Sequence, residues 1–287
     1  MSAKHSTFTS RADGTILATY EWDDLFRPRG AVQIAHGLAE HAGRYDRLAK
    51  SLNEAGYLVG AHDHRGHGKS ISGRRGDFGD VGFPGLIEDM AAYGAALRED
   101  RPDLPLFLVA HSMGSFAAQS VLLEHSDQYA GAVLTGSTSL DVLGDRLASG
   151  EGPVGLEAFN AGFQHRTGYE WLSRDQAEVD AYVADPLCGF DLPAEAVPGL
   201  FTAAESLADP EVLSAIRSDL PILIASGSAD PLAGGGELVH LLGQRYRDAG
   251  LADVTVKVYP EARHEIFNET NRDAVTADVV AWLNSHR

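Results

Sequence analysis

The sequence is poor in cysteine, in basic residues and in long apolar runs. Cys188 is the single cysteine among 287 residues, so no internal disulfide can form and an oxidising compartment gains no support. The 23 basic residues are outnumbered by 41 acidic ones, which leaves a net charge of −18. This balance argues against a nucleic-acid partner, whose phosphates would be repelled, and against an anchor on anionic lipid.

We expect neither a signal peptide nor a membrane-spanning helix in this sequence. The start, MSAKHSTFTSRADG, has no apolar segment of the kind that signal peptides carry. No run approaches the roughly 18 apolar residues that a membrane-spanning helix needs. We therefore expect a cytoplasmic protein.

The apolar residues that are present, 44% of the chain, fall into a regular pattern. Two β-rich runs, 6–11 and 15–22, flank Asp13-Gly14 and predict a hairpin. Buried strands are predicted over 31–36, 57–63, 104–110, 130–136, 221–227 and 254–260. Helices are predicted over 44–55, 85–98, 113–125 and 270–285, after Asp209-Pro210, and around 238–242. This alternation indicates an α/β fold with a mostly parallel sheet covered by helices on both faces.

The alternation is interrupted between about residues 137 and 204. This stretch has polar turns and scattered aromatic residues but no strand period. An insertion between a strand and the next helix is most simply a cap over the strand ends. We therefore expect a core formed by residues 1–136 and 205–287, with residues 137–204 as an inserted cap.

A serine in AHSMG, residues 110–114, stands where a predicted strand ends and a helix begins. The pattern is close to G-x-S-x-G, in which a tight turn exposes the serine and needs small neighbours two residues away. Ala110 and Gly114 are small, although Ala110 departs from the usual glycine. A serine here can simply cap the helix, but the turn also presents it beside free backbone N–H groups. Ser112 is therefore the candidate nucleophile.

Polar residues follow two later strands at the sheet edge where parallel sheets bind their ligands. Asp230 follows strand 221–227 and His264 follows strand 254–260. A serine needs a base to remove its proton, which predicts His264, and Asp230 would orient that imidazole. The oxyanion of the intermediate needs N–H donors, and the sequence predicts those of Met113, after the serine, and of Leu38, after strand 31–36.

Several segments together carry a family resemblance. They are HGLAEHAGRY (36–45), AHDHRGHGKS (61–70), AHSMGS (110–115), GSADP (227–231), ARHE (262–265) and LSRDQAEVDAYVADPLC (172–188). The chain resembles the monoacylglycerol lipase and lysophospholipase branch of the α/β-hydrolase superfamily over roughly residues 15–285. The resemblance implies an α/β-hydrolase fold, with Ser112 as nucleophile, Asp230 as acid, His264 as base, and Leu38 and Met113 as oxyanion donors.

The activity that follows is hydrolysis of a carboxylic ester through an acyl-enzyme, with a monoacylglycerol as the expected substrate. A lysophospholipase and a general carboxylesterase are the near alternatives, and a peptidase or a cofactor-free perhydrolase could use the same triad. A non-catalytic protein that binds a small ligand on this scaffold is the alternative of another class. No metal or organic cofactor is expected, the partner is a small apolar ester, and any contact with a lipid surface would be transient and through the cap. The oligomeric state is left open.

Other polar residues have simpler interpretations. Histidines can bind metals, and His36 and His41 could lie near His62, His64 and His67, but no carboxylate or cysteine set is expected to complete a site. A structural network behind the oxyanion loop is predicted for Glu40, His41 and Arg44. Cys188 is expected to be a small apolar residue of the cap.

Overall fold

One mixed sheet forms the centre of the computed structural model, which describes residues 2–149 and 155–287. Within these ranges the sheet has eight strands in the order β1-β2-β4-β3-β5-β6-β7-β8. The strands are β1 (Lys4–Thr9), β2 (Ile16–Trp22), β3 (Gly30–Ala35), β4 (Tyr57–His62), β5 (Leu106–His111), β6 (Gly131–Thr135), β7 (Ile222–Gly227) and β8 (Val254–Tyr259). β2 pairs antiparallel with β1 and β4, and all other pairs are parallel.

The α-helices lie between the strands and after the last one. They are α1 (Asp46–Glu54), α2 (Gly82–Asp100), α3 (Met113–His125), α4 (Leu140–Ala148), α5 (Gln176–Ala184), α6 (Pro210–Leu213), α7 (Glu237–Asp248) and α8 (Arg272–Ser285). No helix of the described residues is long and apolar enough to span a membrane.

The sheet is buried on both faces because successive side chains of a strand point to opposite sides. In β3, Ala31 and Ala35 belong to the apolar cluster on one face, and Val32 and Ile34 belong to the cluster on the other. Helices α2 and α3 cover the first face, and α1 and α8 cover the second. The α/β-hydrolase fold class predicted from the sequence is confirmed.

The predicted strands agree with the observed ones to within two residues at each end. Helix α2 differs more, since it begins at Gly82 rather than at residue 85. Pro84 lies in its first turn, where a missing N–H group breaks no helical hydrogen bond, so proline does not delimit this helix.

The segment between β6 and β7 contains α4, α5, α6 and several short 3₁₀ turns, and none of its described residues joins the sheet. It lies against the carboxyl edge of the sheet, where Tyr182 Oη and the N–H of Gly189 donate to the carbonyl of Ala39 after β3. Residues 150–154 of the predicted cap lie outside the described residues.

Candidate active site

Ser112 occupies the turn between β5 and α3. Its backbone has φ 50° and ψ −123°, a region that non-glycine residues rarely adopt and that costs about 1–3 kcal/mol. The neighbouring structure holds this conformation, because the Ser112 N–H donates to the carbonyl of Thr135 and the Ser112 carbonyl accepts from Ser115 and Phe116 in α3. The result is a hydroxyl that projects from the sheet edge into a cavity.

Small residues permit this turn. A Cβ at Gly114 would lie 2.4 Å from the carbonyl oxygen of His36 and 2.6 Å from that of Ala35, so only glycine fits beside β3. Ala110 is fully buried inside β5, opposite Ala35 of β3 and Leu134 of β6. The sheet therefore accommodates the methyl group by which Ala110 departs from the usual glycine.

His264 and Asp230 lie beside Ser112, although they follow separate strands. His264 Nε2 is 2.9 Å from Ser112 Oγ, and His264 Nδ1 is 2.9 Å from Asp230 Oδ2. Burial lowers the pKa of His264, but the carboxylate of Asp230 outweighs it, and the pKa is raised above the ordinary 6.5. The N–H of Leu232 donates to the second oxygen of Asp230 at 2.9 Å and fixes the carboxylate. This chain of hydrogen bonds can take a proton from the serine.

The two predicted oxyanion donors border the same cavity as Ser112. Leu38 follows β3, and Met113 is the first residue of α3. Among the described residues neither backbone N–H has a hydrogen-bond acceptor, so both can meet an external oxygen. Ala39, next in the loop, has φ 55°, a backbone conformation that glycine adopts more readily than alanine.

The predicted network of Glu40 and Arg44 lies behind the oxyanion loop and includes Glu265. Arg44 donates to Glu265 at 2.5 and 2.8 Å and to Glu40 at 2.6 Å. Glu40 also accepts from the N–H of Gly37 at 2.6 Å and from the hydroxyl of Tyr45 at 2.7 Å. Burial raises the pKa of Glu40, but Arg44, His111 and the hydrogen bonds from Tyr45 and Gly37 together outweigh burial and lower the pKa, so the carboxyl is held ionised. The network fixes the loop that carries Leu38.

The histidines that could suggest a metal are buried and form hydrogen bonds with one another and with the backbone. His36 Nε2 accepts from the N–H of His64 at 2.9 Å, and His67 Nδ1 lies 3.0 Å from the carbonyl of Arg65. Burial lowers the pKa of His62 to about 3 and that of His67 to about 4, so these rings are neutral. Through these contacts the histidines stabilise the loop after β4.

A different set of metal-type donors comes together in the described residues, and sequence analysis did not foresee it. Donor atoms of His41, Asp185 and Cys188 lie within 4.8 Å of one another. His41 Nε2 and Asp185 Oδ2 already pair at 2.9 Å, and burial raises the pKa of the Cys188 thiol. His41 thus departs from the predicted network with Glu40 and Arg44, because it contacts the segment after β6 instead.

Ser112 and His264 open into a cavity of about 520 Å³, within the range of small-molecule sites. Apolar side chains from the segment after β6 line most of it, among them Leu143, Leu147, Leu156, Phe159, Leu192 and Phe201. The lining also contains four polar residues that we term the polar patch, namely Glu40, His111, Tyr182 and Glu265. The polar patch adjoins the serine, since a Cβ at Gly37 would lie 2.9 Å from Glu40 Oε1 and 3.1 Å from Ser112 Cβ.

Two aromatic rings lie close to that of His264, and sequence analysis assigned a role to neither. The His111 ring lies 4.7 Å from it and the Trp171 ring 4.8 Å, centroid to centroid. Burial lowers the pKa of His111 to about 4, so that ring is neutral. His111 could have been noticed as the residue before the serine, whereas nothing in the local sequence connects Trp171 with His264.

Comparison with known proteins yields one family. The family model described as serine aminopeptidase, S33, matches residues 27–271. The monoacylglycerol lipase of Mycolicibacterium smegmatis is 33% identical, with 100% of this chain and 99% of that protein covered. The monoglyceride lipase of Mus musculus is also 33% identical, with 96% of this chain and 89% of that protein covered.

A solved structure is similar over nearly its whole length. A thermostable carboxyl esterase from Bacillus coagulans, crystallised in complex with glycerol, superimposes with a TM-score of 0.87 at 30% identity, covering 99% of both chains. The similar sequences and the similar structure are therefore all lipases or esterases that cleave carboxylic esters.

Proposed function

The chain belongs to the serine aminopeptidase, S33, family of α/β-hydrolases and is a serine ester hydrolase, and we propose that it is a monoacylglycerol lipase. The observation that carries the proposal is the lining of the cavity at Ser112, which combines many apolar side chains with the four residues of the polar patch. A monoacylglycerol likewise has two parts, an acyl chain and a glycerol with two free hydroxyls, joined at the ester that is cleaved.

In the proposed mechanism Ser112 Oγ attacks the ester carbonyl while His264 Nε2 accepts its proton. Asp230 keeps Nδ1 protonated and stabilises the imidazolium that forms. The N–H groups of Leu38 and Met113 stabilise the oxyanion, at about 3–4 kcal/mol for each donor. His264 then protonates the departing glycerol oxygen, and a water activated by the same imidazole releases the fatty acid from Ser112.

The polar patch is suited to the glycerol. Carboxylate oxygens of Glu40 and Glu265 accept hydrogen bonds from hydroxyl groups, and Tyr182 and His111 add a hydroxyl and an imidazole. Since Arg44 pairs with both carboxylates, the patch carries less net charge than two free acids and favours a neutral alcohol over a cationic amine. The glycerol complex of the similar Bacillus coagulans esterase agrees with this preference.

The segment of residues 137–204 serves in this proposal as the cap, with its apolar side chains around the acyl chain. Its exposed apolar residues, which include Val183 at 49% and Val197 at 40% exposure, would make transient contact with a lipid surface. A cytoplasmic location, the absence of a nucleic-acid partner and the lack of a cofactor remain predictions from the sequence.

The test is a substrate series in which only the alcohol changes. One acyl chain is presented as monoacylglycerol, methyl ester, lysophosphatidylcholine and triacylglycerol, and kcat/KM is measured for the wild type, Ser112→Ala and the control Ser51→Ala, a half-buried serine of α1 that does not line the cavity. We expect the monoacylglycerol to be cleaved best, Ser112→Ala to lose nearly all activity, and Ser51→Ala to match the wild type.

Other outcomes would correct the proposal in definite ways. Equal rates on the monoacylglycerol and the methyl ester would reduce the function to a general carboxylesterase. Preference for the lysophospholipid would make it a lysophospholipase. Cleavage of aminoacyl p-nitroanilides in place of esters would favour the peptidase, and full activity in Ser112→Ala would remove the assigned nucleophile.

A further inference from the structure

A tryptophan from the segment after β6 faces the ring of His264. The two ring centroids are 4.8 Å apart and the planes are inclined by 39°. Trp171 is 3% exposed and borders the cavity. Its position is fixed by two contacts, because the backbone N–H of Trp171 donates to Asn160 Oδ1 at 2.9 Å and the indole ring packs on Phe159 at 5.1 Å between centroids.

The backbone around Trp171 is joined to the backbone around His264. We term residues 170–175 the anchor segment. The N–H of His264 donates to the carbonyl of Trp171 at 3.3 Å, and that of Glu265 donates to the carbonyl of Leu172 at 2.8 Å. Arg263 Nη1 donates to the carbonyls of Glu170 and Ser173 at 2.6 and 3.0 Å.

The anchor segment has further bonds to the residues that follow His264. Arg174 pairs with the fully buried Glu269, and Asp175 pairs with Arg272 at the start of α8. The segment therefore cannot leave the sheet edge without pulling on both neighbours of His264. Any opening of the cap must take place in its other parts, which border the cavity through α4 and residues 190–201.

An aromatic face beside His264 has a chemical consequence. When Ser112 gives up its proton, the imidazole becomes a cation, and tryptophan offers the most favourable aromatic face for a cation within about 6 Å of its ring. The second ring near His264, that of His111, is neutral and cannot supply this interaction. Of these two rings, only that of Trp171 attracts the charge.

The charged groups near His264 come from other elements. Asp230 after β7 bonds its Nδ1, Glu265 is the next residue, and Glu40 approaches from the oxyanion loop. These carboxylates raise the pKa of His264 and remain in place when Trp171 is changed. Trp171 itself does not titrate, so an effect of its ring can be separated from theirs.

We infer that Trp171 is a positioning residue for the general base, whose ring orients His264 and stabilises its imidazolium, so that the cap contributes directly to catalysis. The inference rests on the proposed role of His264 as the base. According to this inference, the anchor segment belongs to the catalytic apparatus and not to the part of the cap that opens.

The experiment compares Trp171→Leu, Trp171→Phe and Trp171→Met with the wild type on a short p-nitrophenyl ester. kcat is measured at pH 8, and kcat/KM is followed from pH 5 to 9. Trp171→Leu is expected to lower kcat roughly 3- to 30-fold and to lower the apparent pKa of the acid limb, because the imidazolium loses its aromatic partner. Trp171→Phe keeps an aromatic face and should recover most of both. Trp171→Met fills the space without a ring and should resemble Trp171→Leu.

Phe201→Leu is the matched control, because Phe201 borders the same cavity and, among the described residues, forms no ring contact with Trp171 or His264. It should alter KM but not the pKa of the acid limb. An acid limb that stays in place or moves upward in Trp171→Leu would overturn the inference, as would equal losses in Trp171→Phe and Trp171→Leu.

A second measurement keeps this inference separate from the proposed function. NMR of imidazole ¹³C in the wild type and the Trp171 variants gives the pKa of His264 without turnover, with His264→Ala to assign the signal. If His264→Ala remains active, the proposed base is wrong whatever Trp171 does. If His264→Ala is inactive and the pKa of His264 does not fall in Trp171→Leu and Trp171→Met, only the inference about Trp171 fails.

Discussion

Gly136 follows β6 and lies directly against the rings of His111 and His264. Its φ is 52°, and a Cβ there would be 2.8 Å from Cε1 of His264 and 2.7 Å from Cε1 of His111. The variant Gly136→Ala therefore adds one methyl group at the base without altering Ser112, His264 or Asp230. It measures how closely the rate depends on the position of the imidazole.

The magnitude follows from these distances. Carbon atoms in van der Waals contact are about 3.5–4.0 Å apart, so the ring must retreat by about 0.7–1.2 Å. The hydrogen bond from Ser112 Oγ to His264 Nε2 is 2.9 Å long, and such a movement takes it beyond the range of about 3.2 Å in which a base works well. A displacement of about 1 Å costs roughly 100-fold in rate, so kcat should fall by about 10²- to 10³-fold.

The assay is kcat on a p-nitrophenyl ester together with the rate of labelling by a fluorophosphonate and the Tm. Gly14→Ala is the matched control, because Gly14 has φ 78° in the hairpin and a Cβ there meets nothing within 4 Å. Both variants should share the backbone cost of about 1–2 kcal/mol, but only Gly136→Ala should lose activity. If Gly136→Ala keeps kcat within about threefold of the wild type, the geometry argued here for His264 does not control the rate.

Three further predictions concern charge and pH. Because the pKa of His264 is raised and the base must be neutral, kcat/KM should be highest in alkaline solution and fall as the pH drops through an apparent pKa above 6.5. A flat profile from pH 5 to 8 would contradict this pH dependence. Asp230→Asn should lower kcat by about 10⁴-fold. Arg44→Met leaves two buried carboxylates without their cation and should lower the free energy of unfolding in urea by about 3–5 kcal/mol, whereas a loss below about 1 kcal/mol would mean that the network is not important for stability. The pKa of His62 is lowered to about 3 and that of His67 to about 4, so between pH 4 and 6.5 these rings bind protons only after unfolding. Their contribution to the free energy of unfolding should be constant above pH 6.5 and decrease as the pH falls from 6.5 towards 4. Equal free energies of unfolding at pH 7 and pH 5 would refute this prediction.

The sequence was a good guide wherever a feature depends on local pattern. Apolar runs located the strands to within two residues because burial on both faces of a parallel sheet requires them. The small residues around Ser112 predicted the tight turn that contains it. Such residues are required because a side chain larger than hydrogen at Gly114 would clash with the backbone of β3. The chain order of Ser112, Asp230 and His264 then sufficed to predict that they meet, because the carboxyl ends of parallel strands share one edge.

The boundaries and the insertion were harder to predict for physical reasons. The prediction began α2 at residue 85, whereas the helix begins at Gly82, because Pro84 is tolerated in a first helical turn. Within the segment after β6, short 3₁₀ turns and irregular backbone have no periodicity to detect. His41 was assigned to the wrong network because its partner, Asp185, lies far along the chain.

The sequence by itself determined the fold class and the three residues that form the hydrogen-bonded chain at the sheet edge. Strand periodicity and turn residues can be recognised in short stretches of sequence, and in a parallel sheet the chain order of the strands determines which residues share an edge. Only the tertiary structure decided which side chains surround that chain. The pairing of Arg44 with Glu265, the neutral ring of His111 and the face of Trp171 against His264 all join segments that have no common local pattern. They exist because the segment after β6 folds back on the carboxyl edge of the sheet, and contacts of that kind depend on packing in three dimensions.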